Sequence, residues 1–255
     1  MSDEGAPSEA GAAPSLRAVL LDAGGTLIHM PLSPEELLAS LCGRMGHPIT
    51  LDQARAGFLA SEQFYSDHYL SHPGGRNDFW LRYHAQALLA LGIPDPAGER
   101  AAFLSHSFGQ EGVWQAYPEA RDACAALLGM RLRLGVVSNG PTTVPDLLAQ
   151  AGLLDFFEVV VTSQGEGVEK PDPRIFHAAL ERMALSPAEA VYAGDLPEVD
   201  VLGARAAGMR GILVDRHGTG APFECPVVRD LNEMVHTIGA IEGDRASAAG
   251  LAPQE

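Results

Sequence analysis

A chain of 255 residues, 46% of them apolar, can fill one substantial core and an insert, and its formal net charge of −16 leaves no basic run to follow a nucleic-acid backbone or an anionic membrane. Three cysteines, Cys42, Cys124 and Cys225, lie far apart and are odd in number, which supplies neither a disulfide framework nor zinc-ligand spacing and fits a reducing, cytoplasmic setting. What remains is a small-molecule partner, with no nucleic acid and no membrane, and a single lysine, Lys170, beside sixteen arginines.

Residues 1–15 hold three acids, no basic residue and no apolar block, so they read as a disordered leader and not as a signal peptide or membrane helix. From Arg17 an apolar run ends abruptly in Asp22-Ala23-Gly24-Gly25-Thr26-Leu27-Ile28. That is how a buried strand of a parallel sheet delivers an acid to its carboxyl end, with glycines that let the following turn approach an anion. Residues 31–111 then read as helix after helix. Ser33 with Glu36 and Thr50 with Gln53 open the first two, Asn77 can cap a third that carries Phe79, Trp80, Tyr83, Leu88 and Leu91, and Asp95-Pro96 starts a fourth. The break Ser71 to Arg76 is the longest irregular stretch of this all-α insert.

From Pro118 helices and strands alternate, the pattern of a doubly wound, Rossmann-like parallel sheet in an α/β fold. Strands are expected at 132–137, 157–161, 190–193 and 211–214, with helices at 118–128, 143–151, 170–183 and 199–207. A final helix runs from Asp230 to about Ile238. The sheet domain is thus expected over 16–30 and 112–240, the helical domain over 31–111, and a flexible tail over 241–255.

Ligands of such sheets bind at the carboxyl ends of the strands. Asp22, Ser138, Lys170, and Asp195 with Asp200 all fall at strand ends or in the loops that follow. Taken singly each is an ordinary turn residue; in this order they resemble the haloacid dehalogenase superfamily. Leu21 to Leu27 is similar to that family's first motif, Val137-Ser138-Asn139 to the second, Lys170-Pro171-Asp172-Pro173 to the third, and Gly194-Asp195 through Asp200 to the fourth, with the helical insert where a type 1 cap sits.

The resemblance implies a hydrolase of phosphatase type acting on a small phosphorylated metabolite, as a monomer or homodimer. By the same resemblance Asp22 is the nucleophile, Ser138 donates to a phosphoryl oxygen, and Lys170 neutralises both the phosphate and Asp22. Gly25, Thr26 and Asn139 join the phosphate-binding set. Asp22, the Gly24 carbonyl, Asp195 and Asp200 would hold Mg²⁺, an ion suited to a sparse set of oxygen ligands.

One position departs from the family's phosphatases. They carry a second aspartate two residues after the nucleophile as general acid and base, and here that position is Gly24. Its loss typically costs about 10²–10⁴ in rate. Phosphonate cleavage through a cap lysine is excluded, because 31–111 contains no lysine. Carbon–halogen cleavage is disfavoured by the presence of both Asp195 and Asp200, although Arg44, Arg55, Arg76 or Arg82 could meet a carboxylate substrate. A non-catalytic phosphometabolite-binding or scaffold protein is the alternative. His29, His68, His72 and His84, candidate substitutes for the acid, read as surface or packing histidines, and Tyr65, Tyr69, Trp80 and Tyr83 as core of the insert.

Overall fold

The apolar run before Asp22 forms β1, Ala18–Leu21, and all four side chains are buried because the sheet is covered on both faces. Val19 and Leu21 enter one apolar cluster, Ala18 and Leu20 the other, which is the period-two alternation of a strand packed on two sides. The structure, a computed structural model, describes residues 15–68, 76–109, 113–218 and 224–248. The expected leader lies almost wholly outside them, as do the 71–75 break, Tyr69, His72 and the end of the tail.

After β1 the chain forms β2, Ile28–His29, and then four helices: α1, Pro34–Arg44; α2, Leu51–His68; α3, Arg76–Ala90; and α4, Glu99–Phe108. It returns through β3, Gln115–Ala116, which pairs antiparallel with β2. The rest alternates: α5, Ala120–Gly129; β4, Arg133–Ser138; α6, Val144–Gln150; β5, Val159–Thr162; α7, Ser163–Glu166; α8, Pro173–Arg182; β6, Ala190–Gly194; α9, Leu202–Ala206; β7, Arg210–Val214; β8, Val227–Val228; and α10, Leu231–Ala248.

The main sheet has the order β5-β4-β1-β6-β7-β8, and every pairing in it is parallel. The chain leaves β1 for β4 and β5 on one side and comes back to β6 on the other, so β1 sits at the switch in strand order. On one face Leu127, Leu148, Leu231 and Met234 bring α5, α6 and α10 onto the sheet. On the other, Ile175, Phe176, Leu180 and Ala204 bring α8 and α9.

The inserted helices have their own apolar centres, one around Leu38, Leu41, Ala54, Leu88 and Leu104 and one around Phe79 and Tyr83. Two expected start signals are formed: Ser33 and Glu36 cap each other's backbone, as do Thr50 and Gln53. Asp95 acts from further upstream, accepting from the amides of Arg100 at 3.0 Å and Ala101 at 2.9 Å. α3 begins at Arg76, so Asn77 lies within it and does not cap it.

Three further departures have local causes. α10 continues to Ala248, past the expected end near 238 and into the stretch expected to be a flexible tail, because three alanines with Glu242 and Arg245 outweigh Gly239 and Gly243 as helix formers. β8 and the β2–β3 ribbon are two residues long, too short to show alternation. The helix expected at 199–207 opens with a wide π turn, Pro197–Val201, before α9.

Candidate active site

β1 is flanked by β4 and β6, so the carboxyl ends of three adjacent strands bring Asp22, Ser138 and Asp195 to one edge. The Asp22 amide still donates to the Ala193 carbonyl at 2.9 Å, which locks the acid to the sheet one residue past the strand. Lys170 arrives from the loop between α7 and α8 and is gripped by Asn139. Its backbone N–H donates to Asn139 Oδ1 at 2.7 Å, and Asn139 Nδ2 donates to the Lys170 carbonyl at 2.9 Å. Asn139, expected at the phosphate, therefore spends its side-chain amide on positioning the lysine.

The Lys170 ammonium uses all three protons inside the protein. It donates to Asp22 Oδ1 and to Asp200 Oδ1, each at 2.7 Å, and to the Tyr192 hydroxyl at 2.9 Å. Burial alone would push its pKa down, but the charges of Asp22 and Asp200 outweigh that and raise it, so it stays an ammonium. The Asp22 carboxyl is pushed up to about 7, mainly by burial, with Lys170 pulling it down and Asp200 and Asp195 pushing it further up. Asp195 rises to about 6 for the same first reason, and burial lifts the Tyr192 phenol well above its ordinary range.

Two glycines make room for the acids. A Cβ on Gly194 would lie 2.3 Å from Asp200 Cγ, and one on Gly25, whose φ is +79°, would lie 2.3 Å from Asp195 Oδ2. The π turn carries Asp200 inward, where it is fully buried and its Oδ2 accepts from the Leu196 amide at 2.9 Å.

Asp22, Asp195 and Asp200 offer oxygen atoms that all lie within 4.8 Å of one another. Asp195 Oδ1 is buried with no hydrogen-bond partner. Three carboxylates facing one ammonium, with one oxygen left orphaned, form a donor set that a hard divalent cation such as Mg²⁺ would complete. Asp200 already has both oxygens engaged, so Asp22 and Asp195 hold the freer ones.

A cavity of about 440 Å³ opens over this edge, lined on the sheet side by Asp22, Gly24, Ser138, Asn139, Glu169 and Lys170. Glu62 and Tyr65 from α2, Trp80 and Tyr83 from α3, and Trp114 beside β3 form its other wall. Tyr65, Trp80 and Tyr83, expected as core of the insert, thus also face the cavity. Gly25 and Thr26 do not line it. Thr26 is fully buried, and the carbonyls of both residues accept from Arg216, at 3.2 Å and 2.8 Å.

Sequence reasoning missed Arg216, Tyr192 and Trp114. Arg216 also donates to Glu119 at 2.7 Å and lies over the Tyr117 ring at 3.4 Å, on which His29 stacks at 4.4 Å. Of the other candidate histidines, His84 is buried, its pKa pushed down to about 4 by that burial, and His68 stacks on Phe64 at the surface. Arg44 lies over Phe103, Arg55 pairs with Asp52, and neither these nor Arg82 lines the cavity. The Arg76 side chain is outside the described residues.

A family model described as haloacid dehalogenase-like hydrolase matches residues 16–208. Human haloacid dehalogenase-like hydrolase domain-containing protein 3 is 30% identical over 252 residues, covering 92% of this chain and 98% of that protein. A phosphoserine phosphatase of Thermus thermophilus is 42% identical over 125 residues, 47% of this chain and 49% of its own. Among solved structures, a HAD phosphatase from Thermococcus onnurineus superposes with a TM-score of 0.60 at 28% identity, covering 88% of this chain and 98% of that one.

Proposed function

The chain belongs to the haloacid dehalogenase-like hydrolases, and from that premise we propose that it is a Mg²⁺-dependent phosphatase of small phosphorylated metabolites, working in the cytoplasm with Asp22 as nucleophile and the inserted helices as a type 1 cap. The observation that carries this reading is Lys170 held 2.7 Å from both Asp22 and Asp200 beside the orphaned Asp195 oxygen, a cationic and metal-ready surround for a carboxylate that must attack an anion. In it, an Asp22 carboxylate oxygen forms a bond to phosphorus as the phosphorus–oxygen bond to the leaving group breaks. Water then attacks the aspartyl phosphate, breaking its phosphorus–oxygen bond and freeing phosphate and Asp22. Lys170 offsets the like-charge repulsion of the first step, and Ser138 donates its hydroxyl proton to a phosphoryl oxygen.

Asp22, Asp195 and the Gly24 carbonyl would hold Mg²⁺, backed by Asp200, and the ion when bound neutralises phosphoryl charge. Gly24 stands where the family's phosphatases carry their second aspartate, so in this chain the leaving oxygen departs without a proton from that position. Good leaving groups tolerate this and alkoxides do not. The same glycine favours one second reading, a protein that binds phosphometabolites without turning them over.

A series of phosphate esters with graded leaving-group pKa, assayed with and without Mg²⁺, tests the proposal. Acyl and nitrophenyl phosphates are expected to turn over and sugar phosphates not. A Cβ on Gly24 would meet only two ring carbons of Trp114, at 3.8 and 3.9 Å, in ordinary contact, so the backbone there admits the first atom of the Gly24→Asp side chain. That variant should raise the alkyl phosphate rate by about 10² or more and the aryl rate by less. A wild-type rate indifferent to the leaving group means that another residue supplies the proton. No turnover, with phosphate analogues still bound, supports the binding-protein reading.

A further inference from the structure

The sheet side of the cavity is occupied by the phosphate chemistry, whereas the opposite wall has no part in it. Glu62 lies there on α2 and accepts a hydrogen bond from the Tyr83 hydroxyl at 2.6 Å. Burial, helped by the Glu62 charge, raises the Tyr83 phenol, so it keeps the proton that it gives to Glu62. The Trp80 ring stands 5.2 Å from Tyr83 and 6.3 Å from Tyr65, and Trp114 closes the wall from beside β3.

Among the described residues that line the cavity, the one basic side chain is Lys170, and its ammonium is committed to Asp22, Asp200 and Tyr192. A ligand filling the far wall therefore meets a carboxylate and aromatic faces, and no positive group. A second anionic group there would be repelled by Glu62. An uncharged alkyl group would pack on the rings but draw nothing from the Glu62 charge, which the neutral Tyr83 hydroxyl does not cancel. A positively charged nitrogen satisfies both, through charge pairing with Glu62 and attraction to the ring faces.

We propose that Glu62, Tyr65, Trp80, Tyr83 and Trp114 form a subsite for a cationic nitrogen, so that the phosphorylated ligand the cavity selects carries an ammonium group on its organic part. This rests on the phosphatase reading for the phosphate half. A cavity of about 440 Å³ falls in the size range of small-ligand sites and holds a phosphate joined to a short aminoalkyl chain.

The test uses esters matched in shape and different in charge: phosphocholine against 3,3-dimethylbutyl phosphate, and phosphoethanolamine against propyl phosphate. Each competes with p-nitrophenyl phosphate in the presence of Mg²⁺, and each is also titrated calorimetrically. Within each protein the ratio of the two affinities is read, so a change in basal rate cancels. The charged ester is expected to bind about tenfold more tightly than its neutral match in the wild type, and Glu62→Gln to remove most of that preference while Glu62→Asp retains part of it. A larger gain for the choline ester assigns the nitrogen chiefly to the rings, and a larger gain for the ethanolamine ester to Glu62. Equal affinities, a preference untouched by Glu62→Gln, or no binding of any of the four esters overturns the subsite. If p-nitrophenyl phosphate is not hydrolysed but the calorimetric preference persists, the subsite stands and the phosphatase reading fails.

Discussion

The two walls of the cavity are built on opposite physical terms. The sheet-side wall is built around buried charge: Lys170 is 4% exposed, its three protons have three partners, and Gly25 and Gly194 leave the space that a Cβ would take from Asp195 and Asp200. The wall opposite the sheet is aromatic and partly open, and Glu62, its charged member, is exposed. The first wall is held by hydrogen bonds that converge on Lys170 from Asp22, Asp200, Tyr192 and Asn139. The second is carried outside the main sheet, by α2, α3 and the segment before β3, which suits a division between chemistry and choice of substrate.

The sharpest way to break that contrast is Lys170→Met. Removing the one cation leaves Asp22 and Asp200 buried against each other, which should cost about 3–5 kcal/mol of stability, whereas Glu62→Gln should cost less than about 0.5 kcal/mol. Urea unfolding of the two variants measures both. A Lys170→Met protein as stable as the wild type would mean that the sheet-side wall is not the rigid one.

A smaller effect separates Asp195 from its neighbours. Because its Oδ1 has no partner and burial already works against its charge, Asp195→Asn should leave metal-free stability unchanged or slightly higher. The same change should weaken Mg²⁺ binding by about 100-fold. Isothermal titration of Mg²⁺ with parallel melts reads both quantities, and equal affinity in the two proteins would remove Asp195 from the metal site.

The smallest effect is a slope with pH. Asp22 and Asp195 titrate near 7 and 6 in the folded chain against an ordinary value of 3.8. In that window the folded state holds protons that the unfolded state has released. Metal-free stability should therefore fall as pH rises from about 4 to about 7 and level off above, with Mg²⁺ flattening the slope by competing with those protons. Melts in EDTA across this range check it. A metal-free protein that gains stability over the same window contradicts the assignment.

The difference between the walls also decides what the sequence could say. Asp22, Ser138 and Asp195 were legible because each ends or follows a strand, and Lys170 and Asp200 because each lies in a proline-marked stretch just before a helix, where a local signal fixes the position of the side chain. Tyr192 was not, since a tyrosine within the run Ala190 to Ala193 reads as packing, and its hydrogen bonds reach across to β4 and the 170 loop. Asn139 was placed at the site but not in its task, because its partner is a backbone 31 residues away. For Tyr65, Trp80 and Tyr83, helical spacing tells that a face is apolar but not whether that face meets another helix or a cavity. Arg216 grips a turn some 190 residues earlier, a relation that no local pattern encodes.

The β2–β3 ribbon has a consequence for how such a chain can diversify. The path out to the helices and the path back run side by side, with Ile28 opposite Ala116 and His29 opposite Gln115, so the insert starts and finishes about one strand spacing, roughly 4.8 Å, apart. To the sheet it is a loop whose ends are already closed, and its length and contents exert no pull on β1. A helical segment of another size can be grafted at this doorway without stretching the host, which makes the ribbon a splice point through which the substrate-facing wall is exchanged whole.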